Sequence, residues 1–318
     1  LEAMRRQRMP GLGEAYLGQL ARVDYRAQPA VKALLKKTAV DPKTLESRGT
    51  LPEFLFLALY LGPSWVRDRD FASALLQKLA KMNRPQSYAV RAHCAYLGMG
   101  VPYDLTEARR LARQATLENR GTKSVEAEIE SVAAEDAAAR DRAWTDLCTA
   151  ADDGDPHALE IVVSRLLSGL GGRLDVELAA EHWRRGTSKM SHRPVTLSTE
   201  EVLKLLKYRV PPLPNEENLA RAAAGDTRQE GPPRPVYRSV PVFPYELRYL
   251  EIQGEAQIDF VVDQEGRTTN VYTIRATHVL FASAAEAAVR EWRFTPGRKG
   301  GQVVATHMQV PVVFNLTD

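Results

Sequence analysis

The sequence predicts an α+β protein of two domains, an N-terminal α-solenoid of helical repeats and a C-terminal small antiparallel sheet with one covering helix. Three observations predict it. Between about residues 50 and 190, Gly, Asp and Ala recur in fixed columns. From about 191 to 235, prolines and turn residues interrupt the chain. Beyond that the apolar period changes to strand alternation around one helical stripe. The expected boundaries are 1–190 for the helical domain, 191–235 for a Pro-rich linker with short helices, and 236–318 for the sheet domain. A chain of 318 residues is long enough for two separate cores.

The repeat columns define the helical part. Gly62, Gly98 and Gly169 are each followed six residues later by Asp68, Asp104 and Asp175, and four further on by Ala72, Ala108 and Ala179. The first two copies lie 36 residues apart, and the third leaves room for a degenerate copy through Val132 to Ala151. A period of this size predicts stacked helix pairs. In each pair Gly ends the first helix in a left-handed cap, Asp caps the second, and the small Ala lets the two approach closely. Before residue 50, Leu17, Leu20 and Val23, then Val31, Leu34 and Leu35, give apolar stripes around Pro29 and predict a capping helix pair.

In the linker, Pro194, Pro211, Pro212, Pro214, Pro232, Pro233 and Pro235 act with Gly225-Asp226 and Glu230-Gly231 as breakers. Short helices are expected near Glu200 to Lys207 and Glu216 to Ala224. The sheet then opens with Ala256, Ile258, Phe260 and Val262 on one face and Gln257 and Asp259 on the other. Asp263-Gln264-Glu265-Gly266 supplies a turn with Gly266 at positive φ, and a return strand follows over about Thr268 to Ile274. Phe281, Ala285, Ala288, Val289 and Trp292 share a helical face, and the helix is expected to end in Trp292-Arg293-Phe294-Thr295-Pro296. In the last segment Met308, Val310, Val312, Phe314 and Leu316 alternate with Gln309, Pro311, Val313 and Asn315. Proline cannot donate to a ladder, so this strand should run along an edge or break locally.

Composition narrows the function classes. The net charge of +3 is small and the charges are interspersed, which argues against nucleic acid as a partner. Only Cys94 and Cys148 are present, so a disulfide framework is excluded while a single bridge stays open. The longest apolar run, Phe54 to Leu61, is far short of a membrane span. The chain begins at Leu1 rather than Met, so an anchor or signal segment ahead of it stays open, and Arg5, Arg6 and Arg8 could then lie near anionic headgroups. A solvated first turn is the simpler account of those arginines.

No catalytic, cofactor or metal constellation is evident. The histidines, His93, His157, His182, His192, His278 and His307, show no metal-ligand spacing, and His93 beside Cys94 reads as a packed or surface position. Glu126, Glu128 and Glu130 read as one solvated, charged helix face. Gly169, Gly171 and Gly172 lack the Lys and Ser/Thr of a phosphate loop, and Gly11-Leu12-Gly13 is weaker still. Trp292 and Phe294 read as core. The expected site is therefore main chain: Thr306, Met308, Val310, Val312, Phe314 and Leu316 mark a strand that could pair with an incoming one. The alternative is an ordinary edge protected by Pro311.

Two resemblances bear on this. Tyr96-Leu97-Gly98-Met99-Gly100-Val101 with Asp104 and Ala108 resembles the Sel1-like repeat, a relative of the tetratricopeptide repeat, which implies a scaffold or binding surface. Phe243-Pro244, Gln253-Gly254, Val262-Asp263 with Gly266, Asn270-Val271, Trp292-Arg293-Phe294 with Pro296, and Val310-Pro311-Val312 with Phe314 together resemble the C-terminal domain of the TonB family. That resemblance covers about the last quarter of the chain. It implies a periplasmic domain that, in energy transducers, receives a short strand from an outer-membrane receptor, and the leading expectation is a non-enzymatic interaction protein. In energy transducers it also implies an inner-membrane motor complex reached through an N-terminal anchor. Three classes of function follow: an energy transducer, a periplasmic scaffold without energy coupling, and an envelope enzyme, for which no constellation speaks.

Overall fold

The computed structural model describes residues 20, 23–46, 51–118, 123–170, 174–206 and 230–316. The fold is α+β, a helical N-terminal region followed by a small antiparallel sheet packed on a helix. Compact units comprise residues 1–163 with 180–207, and residues 164–179 with 208–318.

The helical region runs α1 (Gln28–Val40), α2 (Pro42–Leu45), α3 (Leu51–Leu61), α4 (Arg69–Lys81), α5 (Tyr88–Leu97), α6 (Leu105–Leu117), α7 (Lys123–Ala133), α8 (Ala137–Asp152), α9 (Pro156–Ser168), α10 (Val176–Ser191) and α11 (Thr199–Leu205). Successive helices pack as pairs, α3 on α4, α5 on α6 and α7 on α8. α6 shows how the sequence produces this. Ala108, Leu111, Ala112 and Ala115 are buried at helical spacing, while Arg109 and Arg110 face outward to Glu130 and Glu107.

The repeat columns have the expected chemistry in all but one position. Asp68, Asp104 and Asp175 cap their helices by accepting from the N–H of Phe71, Glu107 and Leu178 at 3.1, 2.9 and 2.9 Å. Each also donates its own N–H to the carbonyl nine residues earlier, on Leu59, Ala95 and Leu166, at 2.7, 2.9 and 3.0 Å. Ala72, Ala108 and Ala179 are fully buried. Gly98 and Gly169 are left-handed, with φ of 73° and 72°. Gly62 is not. Its φ is unexceptional, and what excludes a side chain there is the Ala58 carbonyl oxygen, with the Val66 methyl 2.6 Å from where a Cβ would stand. The linker helix expected near Glu200 forms as α11, held by a capping box between Ser198 and Glu201. Leu17, Arg5, Arg6, Arg8, Gly11 to Gly13, Gly171, Gly172 and the expected helix at 216–224 lie outside the described residues.

The second unit carries β1 (Arg234–Tyr237), α12 (Tyr245–Tyr249), β2 (Gly254–Val262), β3 (Thr268–Ala276), α13 (Val279–Arg290), β4 (Arg293–Thr295), β5 (Gly297–Lys299), β6 (Gln302–Val304) and β7 (Thr306–Phe314). The main sheet has the order β3-β2-β7, and β1 pairs with β4 and β5 with β6. Ala256, Ile258, Phe260 and Val262 form the buried face of β2, as the alternation predicts. α13 lays Leu280, Phe281, Ala284, Ala285, Ala288 and Val289 over that face. Phe281 stacks on Phe314 at 4.6 Å between ring centroids, and Phe260 meets Trp292 edge-on at 6.3 Å. Such pairs add roughly 0.5–1.5 kcal/mol each beyond their buried area.

Two expectations change here. The helix ends at Arg290, and Arg293–Thr295 is a strand rather than a helix end, because Phe294 turns into the core and its neighbours pair with β1. β1 itself begins at Arg234, where the prolines alone suggested linker; Pro235 is accommodated because β1 is a short strand with one partner.

Candidate strand-docking edge

β7 forms because its residues alternate between a covered and an open face. Met308, Val310, Val312 and Phe314 turn toward the core side, while His307, Gln309, Pro311 and Val313 are exposed. Its pairing with β2 is unbroken from Val262 opposite Thr306 to Gly254 opposite Phe314. Pro311 therefore causes no break. Leu316 lies beyond the strand.

The direction of the main-chain groups follows from the other side of β2. Glu255 accepts from the N–H of Thr277, and Asp263 donates to the carbonyl of Arg267, so odd-numbered residues of β2 face β3. In an antiparallel ladder the alternate residues face the other neighbour. Ala256, Ile258, Phe260 and Val262 thus bond to Val312, Val310, Met308 and Thr306. The outward main-chain groups of β7 belong to the residues between: His307, Gln309, Pro311 and Val313. Pro311 faces Gln257 in a pair that exchanges no ladder bonds, so its missing N–H costs the sheet nothing and subtracts one donor from the open edge.

The opposite edge is less suited to pairing. β3 slips register twice against β2, between Gln257 and Ile258 and between Asp259 and Val261, and Asn270 there has φ of 49°. Bulges twist an edge and interrupt its ladder. The N–H of Thr273 is also taken by Glu286 of α13 at 3.0 Å. Among the described residues no strand lies on the outer side of β7.

The open face carries one polar cluster. Asp259 of β2 lies opposite Gln309, whose Nε2 donates to Oδ2 at 2.7 Å, and His307 Nε2 stands 2.6 Å from Oδ1. Loss of solvent works against the Asp259 charge, but the bonds from Gln309 and His307 outweigh it and hold the carboxyl below its ordinary value. The Tyr272 hydroxyl beside it is pushed up by desolvation and by the Asp259 charge.

A second cluster, in the helical region, is not evident from sequence spacing. His93 on α5, Glu128 on α7 and His157 on α9 are 1%, 0% and 5% exposed, and their ligand atoms lie within 4.8 Å of one another. Glu128 is thus no part of a solvated face. Residues two apart on a helix point about 200° apart, so Glu126 and Glu130 reach Arg113 and Arg109 at the surface while Glu128 turns inward. His93 is packed, as its position beside Cys94 suggests, but against a charged partner. Burial opposes the Glu128 charge, and His93 and His157 outweigh it, holding its carboxyl well below the usual range. Burial likewise opposes charging of His157, and Glu128 overcomes it, raising His157. The repeat period was the available signal: all three residues sit on first helices of consecutive pairs.

The remaining candidates are structural. Trp292 and Phe294 are core, with the Trp292 indole N–H donating to the Ser239 carbonyl at 3.0 Å. Cys94 and Cys148 are free thiols; burial pushes both up, Cys148 to about 11 with help from Asp152. No helix among the described residues is long and apolar enough to cross a membrane.

Comparison with known proteins bears on the strand-bearing region. Residues 239–316 match the family model for the Gram-negative bacterial TonB protein C-terminal. Protein TonB of Escherichia coli (strain K12) is 33% identical over 73 residues, 23% of this chain and 30% of that protein. Protein TonB of Klebsiella pneumoniae is 32% identical over 75 residues, 23% of this chain and 31% of that protein. The chain spans less than a third of the length of these curated relatives, and the likeness lies in the C-terminal part, which is TonB-like.

Proposed function

We propose that this chain is a non-enzymatic interaction protein of the periplasm whose C-terminal sheet accepts a strand from an outer-membrane receptor along β7, as a TonB-type energy transducer would. The incoming strand takes its main-chain bonds from His307, Gln309, Pro311 and Val313, while Thr306, Met308, Val310, Val312 and Phe314 hold the edge in register from the core side. The observation that carries the reading is the asymmetry of the sheet: β7 is regular over nine residues and unpaired outside among the described residues, whereas β3 is bulged and partly covered. The TonB-like sequence of the same residues supports it. In this reading the helical region, with its Sel1-like columns, is a second protein-binding surface, and coupling runs to an inner-membrane motor.

The full chain is titrated with extended peptides from receptor plug segments while amide exchange is followed. Slowed exchange at His307, Gln309 and Val313, with Met308, Val310 and Val312 unchanged, is the expected result. No change along β7 with any such peptide overturns strand acceptance.

The packed helices favour a second reading, a periplasmic scaffold without energy coupling. Stacked helix pairs reach far less per residue than an extended spacer, which gains about 3.1 Å per residue. Deletion of the chain distinguishes the two: loss of receptor-dependent uptake supports transduction, and unaltered uptake supports the scaffold.

A further inference from the structure

We propose that His93, Glu128 and His157 form a binding site for one divalent first-row transition ion, of which Zn²⁺ suits the donors best. Three features carry the proposal. The donor set is two imidazoles and one carboxylate, the combination that holds such ions with a further position left for water. The three donors come from α5, α7 and α9, on consecutive helix pairs, so their convergence is built by the stack rather than by a single turn of chain. And the buried His93 Nε2 has no hydrogen-bond partner among the described residues, although it stands 2.9 Å from Glu128 Oε2.

His157 Nε2 lies 2.7 Å from Glu128 Oε2 and is well bonded. His93 Nε2 is 2.9 Å from the same oxygen but is not aligned for a hydrogen bond, and the Nδ1 atoms of both rings have no partner among the described residues. A divalent ion would take an in-plane lone pair from each ring and a carboxylate oxygen, giving the buried His93 Nε2 the partner it lacks.

The fit requires a small adjustment. A tetrahedral centre with ligand distances of about 2.0–2.1 Å separates N and O by about 3.3 Å, so each ring must draw back from Oε2 by about half an ångström. The rings already stand edge to face, with centroids 4.7 Å apart and planes at 88°, so they do not obstruct each other. Cys94, next to His93, takes no part in the cluster: its buried thiol is pushed away from the thiolate that binds metal. The ion would tie together α5, α7 and α9.

The test uses the untagged full chain, stripped with a chelator and then titrated with ZnCl₂ and, separately, CoCl₂. Expected are one bound Zn²⁺ per chain, a rise in thermal midpoint on adding it, and the visible absorption of four-coordinate Co²⁺. In Glu128→Gln and His157→Gln, zinc affinity should fall at least tenfold and the thermal rise disappear, while His192→Gln on the exposed surface keeps both. A stripped, folded wild-type chain that takes up neither ion overturns the proposal, as does equal uptake by the Gln variants. If those variants fail to fold, the wild-type Co²⁺ spectrum decides: absence of the four-coordinate bands overturns it.

Discussion

His307 Nε2 of β7 stands 2.6 Å from Oδ1 of Asp259 on β2, so the edge strand is tied to its neighbour by side chains on the open face as well as by the ladder. Asp259 is only 2% exposed, covered by the side chains of a single sheet layer rather than by a deep core. Its folded carboxyl lies below the ordinary value near 3.8. A depressed carboxyl contributes stability that is present above that ordinary value and lost as pH falls through the folded one. The wild-type sheet should therefore weaken below about pH 4, and Asp259→Asn should flatten that part of the profile. Amide exchange along β2 and β7 between pH 6 and 3 measures it; parallel profiles for both proteins would count against the cross-strand tie.

Pro311→Ala isolates the open edge from the fold. The substitution adds an outward N–H and disturbs no bond to β2, because Pro311 and Gln257 form a pair without ladder bonds. Fold stability should fall by less than about 1 kcal/mol, the usual entropy effect of releasing a proline. Affinity for an added strand should rise, since one more hydrogen bond contributes about 1 kcal/mol, or roughly fivefold. Peptide titration measures the affinity, and sedimentation shows whether the restored edge also promotes self-association.

In the helical region Arg84 Nε meets Glu53 Oε1 at 3.2 Å with both side chains buried, and the Arg84 guanidinium also donates to the Leu45 carbonyl. Removing one partner strands a charge, so Glu53→Ala should cost about 3–5 kcal/mol in denaturant unfolding. The pair Glu53→Leu with Arg84→Met should recover most of that. Recovery should stop short by about 1–3 kcal/mol, because the Leu45 carbonyl is left without its donor. A double variant no more stable than Glu53→Ala would mean that packing, rather than the stranded charge, sets the cost.

What the sequence makes legible here is local and periodic. The Asp caps, the Gly98 and Gly169 turns, the apolar face of β2 and the stripe of α13 each follow from a spacing within one element. What it hides depends on partners far along the chain. Phe294 reads as a helix end until β1, sixty residues earlier, pairs beside it. Glu128 reads as solvated among neighbouring carboxylates until α5 and α9 bring His93 and His157 to it. The same holds for the docking edge. Alternation identifies β7 as a strand, but only its register with β2 shows that His307, Gln309, Pro311 and Val313, rather than the residues between them, turn their main chain outward.

The turn between β2 and β3 joins both kinds of information in one residue. Gly266 has φ of 77°, as turn chemistry demands, and Asp263 Oδ1 braces the turn by accepting from the N–H groups of Glu265 and Arg267 at 3.0 and 2.7 Å. The second constraint is tertiary. The Gly266 carbonyl accepts from the N–H of Phe294 at 2.8 Å, and a Cβ on Gly266 would run into the carbonyl of that same residue. A left-handed conformation alone costs an L-residue about 1–2 kcal/mol. Gly266→Ala should therefore cost more than this, about 2 kcal/mol or above, because the β4 segment must also retreat. Gly266→Asn, which tolerates the left-handed backbone, should recover little if the clash dominates and most of the loss if backbone strain does. Denaturant unfolding of the three proteins, read at the Phe294 and Val262 amides, separates the two.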